Sequence, residues 1–539
     1  MVNIDNKKKL LLKHLKKFVE KVKEIFKDIV GHFKTNLKIF KDSRLYLIIV
    51  FALLSLAIVY MYVWTSSFSV YSSDDFVHYA LGIRSLPKFD INNNFTNGIE
   101  YAKWDFENLG GRYLSMFLQG LIGLNIYTRD LTGLRDIMMK NAILYFFSIY
   151  MFIFTLVSYI VINKKSLIEK LLVSTSVFFS FIFLFNVFKY YEEPFTWFPA
   201  AASYTIVISL FLISFSILLS FEKENKLYID IIKMVITIPL AILSMGGNLS
   251  VVVFAFYICF LYVIYELYEN KLNLKKTIII LTYLLFGIYN LTRPGNFNRR
   301  EIFIDSIDIA EIFETTFLFI NKRLGVINKG YLLIVFSLIL GILVSYYIYR
   351  NVTVKSTYVI LSAFLLLLPF VVTLPIAVGY STEIPLFDRT NFMIDIGLVI
   401  NYLNLAILFS GLILLLFDLI FKGTSNHIAI ILFSLITIVI LITARHIDKI
   451  DVRQIDAFDV TSDIINKKYE NFYAEYNRMF EDLVKNQNKE VADIYHPDET
   501  VKPKHLMYYD GLQNDFYNMF YNIKKINVIE EKKGSSLHD

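Results

Sequence analysis

Eleven apolar runs, each close to the roughly 20 residues that cross a bilayer, set the bounds on what this chain can fold into. They lie at 45–64, 140–162, 170–188, 202–220, 228–245, 249–267, 275–291, 331–349, 356–377, 394–420 and 427–444. Composition agrees, with 56% of the 539 residues apolar and 19% charged, where soluble domains carry about a quarter charged. The chain is expected to be an all-α polytopic membrane protein with about 11 transmembrane helices. Its one cysteine, Cys259, sits inside an apolar run, which excludes an intramolecular disulfide or a cysteine-ligated cluster within one chain. The first run starts near Leu45 and is too long for a signal-peptide core, so no cleavable leader is read.

Charge orients the spans. Residues 1–44 carry thirteen Lys/Arg against five Asp/Glu, and residues 447–539 carry thirteen against eighteen. The short loops "NKKSLIEK", "EKENK", "ENKLNLKK", "RNVTVK" and "KGTSNH" fall on the same side as the basic N-terminus. That side is cytoplasmic by the positive-inside rule, and an odd number of spans puts the acidic tail outside. Three regions follow. Residues 1–43 form a basic amphipathic helix on the cytoplasmic leaflet, with Leu11, Leu15, Phe18, Val22, Ile25, Ile29 and Phe33 at helical spacing. Residues 44–446 form the multi-pass domain, with a large first outer loop at 65–139. Residues 447–539 form a small extracytoplasmic unit, helical over 455–484 and again near 511–523, with an extended "EVADIYHP" between.

The outer segments hold the chemistry-bearing residues. "YSSDDFVHYA" places Asp74, Asp75 and His78 just beyond the first span. Adjacent carboxylates raise one another's pKa and can supply a general base or ligate a divalent cation. Equally, Asp-Asp after Ser-Ser can cap the helix that follows. "KYYEEPFTWFPAAASY" sets Glu192, Glu193, Trp197 and Tyr204 in a proline-stiffened turn, a combination suited to sugar hydroxyls and sugar faces. "RPGNFNRR" gathers Arg293, Asn296, Arg299 and Arg300 around a Pro-Gly turn, and "FDRTNF" adds Arg389. Guanidinium groups at headgroup depth can grip a phosphate in bidentate fashion. Arg112 in "NLGGRYLS" and Asn248 in "MGGN" complete the outer set. A short apolar piece, 113–127, reads as an interfacial helix. The chain has no Walker loop, dinucleotide fingerprint or HExxH. No charged cluster is read at the span centres, since Lys233, Glu266 and Asp418 lie near inner ends.

The outer loops resemble those of membrane glycosyltransferases of the glycosyltransferase C (GT-C) superfamily. "DDFVH" is similar to the Asp-Glu-x-x-His form of protein mannosyltransferases, with Asp75 in place of Glu. "EPFTWFPAAASY", "GGN" and "RPGNFNRR" resemble a bacterial branch of that superfamily, although Asn248 stands where some branch members carry an acid. The resemblance implies sugar transfer from a polyprenyl-phosphate donor to a glycan or glycopolymer acceptor on the extracytoplasmic face. Asp74 is then the general base and Asp75 its catalytic partner. The substrate-binding set is His78, Arg112, Glu192, Glu193, Trp197, Tyr204, Asn248, Arg293, Asn296, Arg299, Arg300 and Arg389. No nucleotide or nucleic acid is implied, and a divalent cation, magnesium or manganese, stays open. The competing class is a lipid-linked sugar translocase or a non-catalytic subunit of a polysaccharide machine.

Overall fold

The computed structural model describes residues 43–72, 75, 86, 88, 90, 93–122, 131–161, 167–186, 189–221, 227–303, 309–328, 356–379, 387–421, 456–508 and 521–529. In chain order the helices are α1 (Ser43–Ser66), α2 (Asn94–Asn108), α3 (Tyr113–Ile122), α4 (Leu131–Leu156), α5 (Leu167–Asn186) and the short α6 (Glu193–Thr196). Next come α7 (Phe198–Ser203), α8 (Thr205–Leu219), α9 (Leu227–Ser244), α10 (Leu249–Tyr268), α11 (Leu274–Leu291) and α12 (Pro294–Phe303). They end with α13 (Ile309–Asn328), α14 (Ser356–Leu365), α15 (Leu368–Gly379), α16 (Asp388–Phe421), α17 (Asp456–Ile465) and α18 (Lys468–Lys485).

Nine stretches among the described residues are long and apolar enough to cross a membrane. They are α1, α4, α5, α7–α8, α9, α10, α11, the α14–α15 pair from Ile360, and α16 as far as Gly411. Each coincides with one of the eleven predicted runs. The other two runs, 331–349 and 427–444, lie outside the described residues, as do the basic N-terminal helix, Asp74 and His78. In lipid a helix satisfies its own backbone, and its hydroxyls do the same. Ser55, Ser180 and Ser216 each donate to a carbonyl four residues back.

One boundary moves. Hydropathy starts the second span at 140, but α4 starts at Leu131 and carries Arg135, Asp136 and Lys140 on its first turns. An apolar window stops at charges, whereas the helix runs on past them. Arg135 lies over the Phe68 and Tyr473 rings, and Lys140 pairs with Asp136 one turn away.

The 189–197 segment enters the bundle instead of looping into solvent. Tyr190, Tyr191 and Phe195 are fully enclosed. Tyr62 stacks on Tyr190 at 4.5 Å between centroids, and Phe195 meets Tyr62, Tyr145 and Phe146 within 6 Å.

Three glycine motifs close on one another at the same end. A Cβ on Gly295 would lie 2.4 Å from Gly110 N, and one on Gly111 would lie 2.2 Å from Asn290 O. Asn290 donates to Met245 O and Gly247 O, and Gly246 O accepts from Leu114 N and Ser115 N.

The tail reaches this end as well. Tyr469, Phe472, Tyr476, Phe480 and Leu483 of α18 share a core with Val70, Tyr71, Met116, Phe198 and Ala201. Phe458 and Ile465, apolar residues inside the predicted 455–484 helix, are exposed at 53% and 74%. Lys467 explains this: its left-handed φ of 55° breaks the helix and resets its phase. After β1 (Val491–Tyr495) the chain returns in β2 (Lys525–Ile529), pairing in parallel with Val491 opposite Lys525. The extended reading at "EVADIYHP" holds for β1, the second strand is not foreshadowed by the sequence pattern, and most of 511–523 lies outside the described residues.

Candidate functional site

Asp75 carries the local signal into three dimensions. Its Oδ2 accepts Ser72 N at 2.7 Å, and its own N donates to Ser72 O at 2.9 Å. This is the acid half of a capping box, in which the side chain reaches back three residues. Its Oδ1 accepts Trp197 Nε1 at 3.1 Å, bridging 122 residues of chain. Asp75 is thus a buried anchor, with both oxygens engaged.

Trp197 is itself enclosed against Ala200 and Met507, with the Arg389 guanidinium 5.1 Å from its ring centre. At 5% exposure it offers no open ring face for a sugar. Arg389 is committed elsewhere as well, since its Nη1 donates to Glu193 Oε2 at 2.7 Å. Glu193 is buried, and Tyr204 is buried at the end of α7.

Around this pair lies a dense ionic group. Lys189 sits 3.4 Å from Asp388 and 3.8 Å from Asp456. Burial alone would lower the Lys189 ammonium, but Asp388, Asp456 and Glu192 outweigh it and hold it above the usual lysine value. Burial, with the Asp388 carboxylate next in effect, pushes Glu192 up to about 7. His505 Nδ1 lies 3.9 Å from Glu192 Oε2, and burial keeps its imidazole below the usual value.

Asp456, Asp459 and His505 each offer a ligand atom within 4.8 Å of the others. The donor set does not suit magnesium, which takes oxygen ligands in near-octahedral array. Lysine nitrogens from Lys189 and Lys504 and the Tyr190 amide already occupy its carboxylates.

A second group forms at the glycine junction. Arg112 Nη2 pairs with the fully buried Asp105 at 2.7 Å, and although burial alone would lower the guanidinium, the Asp105 carboxylate holds it above the usual arginine value. The six-residue α7, about 9 Å long, joins this group to the first. Trp197 caps one end of α7, and Ser203 at the other bonds Ser115 Oγ at 2.6 Å. Asn248 caps α10, accepting Ser250 N at 3.0 Å, and Asn296 donates to Asn290 O at 2.7 Å. Both amides are spent on backbone. Arg293 stacks on Tyr289 and Phe106 at 3.5 and 4.2 Å and has no acid partner among the described residues. Arg299 and Arg300 lie on α12, with their side chains outside what is described.

One buried pair is not marked by the sequence pattern. Arg323 of α13 forks onto Asp395 of α16, and the Tyr191 hydroxyl donates to the same carboxylate. Asp395 sits two turns inside its helix, a depth at which a carboxylate needs such partners. Its run reads as apolar, and its partner lies 72 residues away.

The fold is that of a helical multi-pass membrane protein. The chain matches no protein family, and neither a curated protein nor a solved structure is significantly similar to it.

Proposed function

We propose that this chain is a membrane glycosyltransferase of the GT-C type. It would transfer a sugar from a polyprenyl-phosphate carrier to a glycan or glycopolymer acceptor on the extracytoplasmic face. The supporting observation is the Trp197–Asp75 hydrogen bond, which ties the acid-pair loop to the 189–204 segment where the outer motifs meet. In this reading Asp74 takes the acceptor hydroxyl proton as the oxygen attacks the anomeric carbon. The bond from that carbon to the phosphate oxygen breaks, and polyprenyl phosphate leaves with the electron pair. Asp75 is a positioning residue, since both its oxygens are held. Among the described arginines, Arg293 alone of the proposed phosphate ligands keeps its charge free of an acid, so it is the first candidate to meet the leaving phosphate.

The test is glycan analysis in a deletion strain complemented with variants. Asp74→Asn should cut transfer by about a hundredfold or more, the usual contribution of a general base, with unchanged protein in the membrane. Arg293→Lys should also lower transfer, because the bidentate fork is lost. Near-normal transfer by Asp74→Asn would sink the enzyme reading.

The translocase reading draws on the Arg323–Asp395–Tyr191 group, because carriers place polar groups within the span interior. It predicts the opposite pattern: Asp395→Asn abolishes surface glycan while Asp74→Asn leaves it intact.

A further inference from the structure

α5 begins at Leu167 and runs about 30 Å to Asn186 beside the site, so its first turn marks the far end of the bundle. There the ends of α4, α5, α8 and α11, with the turn between α10 and α11, line a half-open cavity of about 390 Å³. That volume lies within the ~300–1,000 Å³ typical of small-molecule sites. Its charged lining is Lys170, Lys271 and Lys276, beside the hydroxyls of Thr155, Ser158, Tyr159 and Ser220 and the Asn273 amide, and no acid lines it among the described residues.

The three lysines differ in their commitments. Lys276 is buried and paired with the enclosed Glu266 at 2.7 Å, and Tyr159 donates to the same carboxylate. Lys271 lies 3.6 Å from Glu269 and within 6 Å of the Tyr159 and Tyr265 ring centres. Lys170 has no ion-pair partner among the described residues, and the adjacent Glu169 pairs with Arg44.

Two further features open on the cavity. α4 ends in a π-helical turn, Val157–Val161, that carries Ser158 and Tyr159. Such turns break the regular hydrogen-bond register and recur where helices line functional sites. The Ser158 Oγ is buried with no hydrogen-bond partner among the described residues. The N-termini of α5 and α11 also start here, so their dipoles add positive potential to that of the lysines.

We propose that this cavity binds the phosphate of an anionic membrane lipid headgroup. Lysine is a point-charge phosphate binder, and the cavity lies at span ends, the depth at which headgroup phosphates sit. A free phosphate ion shares this chemistry, and the experiment separates the two sources. The site is independent of the glycosyl-transfer reading.

The full-length protein is placed in phosphatidylcholine nanodiscs, with or without phosphatidylglycerol, and its thermal midpoint is measured. Phosphatidylglycerol should raise the wild-type midpoint, and the double variant Lys170→Gln/Lys271→Gln should lose at least half of that rise. Lys140→Gln, at the other end of α4, should keep it. Inorganic phosphate added to plain phosphatidylcholine discs forms the second arm. A rise seen there and lost in the same double variant places a free phosphate in the cavity and supports the phosphate site. Full retention of both rises in the double variant overturns the proposal. If the double variant does not fold, Lys170→Gln alone carries the test, since its ammonium has no ion pair to lose.

Discussion

Glu192 is the residue whose environment most departs from what its neighbours in sequence imply. Followed by Glu193 and Pro194, it reads as a sugar-binding acid in a stiffened turn, yet Asp388, Lys189, Lys502 and His505 all face it. Its value of about 7, against an ordinary 4.5, means the folded chain holds a proton that the unfolded chain releases between those pH values. Stability therefore falls as pH rises from about 4.5 to about 7, and the full penalty persists above that. Glu192→Gln should remove the penalty. Its thermal midpoint in detergent should exceed wild type at pH 8, and the two curves should converge near pH 5. A tenfold change in proton affinity is worth about 1.4 kcal/mol, so with the side chain partly solvated the gain is on the order of 1–3 kcal/mol. Parallel curves across this range would show that Glu192 is ionised throughout.

At this scale the sequence is only half legible. It marks residues that the fold gathers at one end, but not what each one holds. Trp197 and Asp75 both stand out in the sequence, while a bond across 122 residues leaves no local trace. Asn248 stands out as a substrate-binding candidate, yet its side chain is the N-cap of α10.

Elements are legible more surely than single side chains, because a run of apolar residues is a redundant signal. Nine predicted spans reappear, with their ends shifted where charged turns extend a helix. The glycine motifs are instructive in the other direction. "LGG", "MGGN" and "RPGN" draw attention through flanking polar residues, and their glycines turn out to permit close backbone approach. The backbone of α12 presses on the end of α2 at Gly295, where an added methyl would lie 2.4 Å from Gly110 N and 2.6 Å from Asp105 O. Neither atom belongs to a flexible side chain, so the helix must move. Gly295→Ala should destabilise the fold by about 1–3 kcal/mol, the range for overpacking a tight contact. Gly379→Ala provides the control, since nothing among the described residues lies within 4 Å of its added carbon. The comparison is the thermal midpoint of the two purified variants. Equal midpoints would mean that α12 is not docked on α2 as described. The failed stretch of pattern in the tail has a similar local cause. One left-handed residue, Lys467, rotates everything after it, and helical periodicity cannot see such a break.

For the molecule as a whole, what decides function is which end faces which compartment. The described residues fix what lies together. Tyr190 N donates to Asp456, Met507 N donates to Thr196, and Tyr476 donates to Tyr71 O, so the tail shares an end with the site. α16 starts at that end, where Asp388 meets Lys189, and its 34 residues extend about 51 Å towards the other. The chain from Phe421 to Asp456 thus begins at one end and finishes at the opposite one. The apolar run at 427–444 is predicted as a span, which agrees with that parity. The loop at Lys271, beside the lysine-lined cavity, must then report the opposite compartment from the tail. Basic short loops favour the cytoplasm, so a reporter fused after Lys271 should read cytoplasmic and one after Ser535 external. Matching readings would separate the tail from the site and undo the shared core of α18 with the first loop. Reversed readings would keep the fold but place Asp75, Trp197 and Arg293 inside the cell. Transfer to an extracytoplasmic acceptor would then have no site on the correct side.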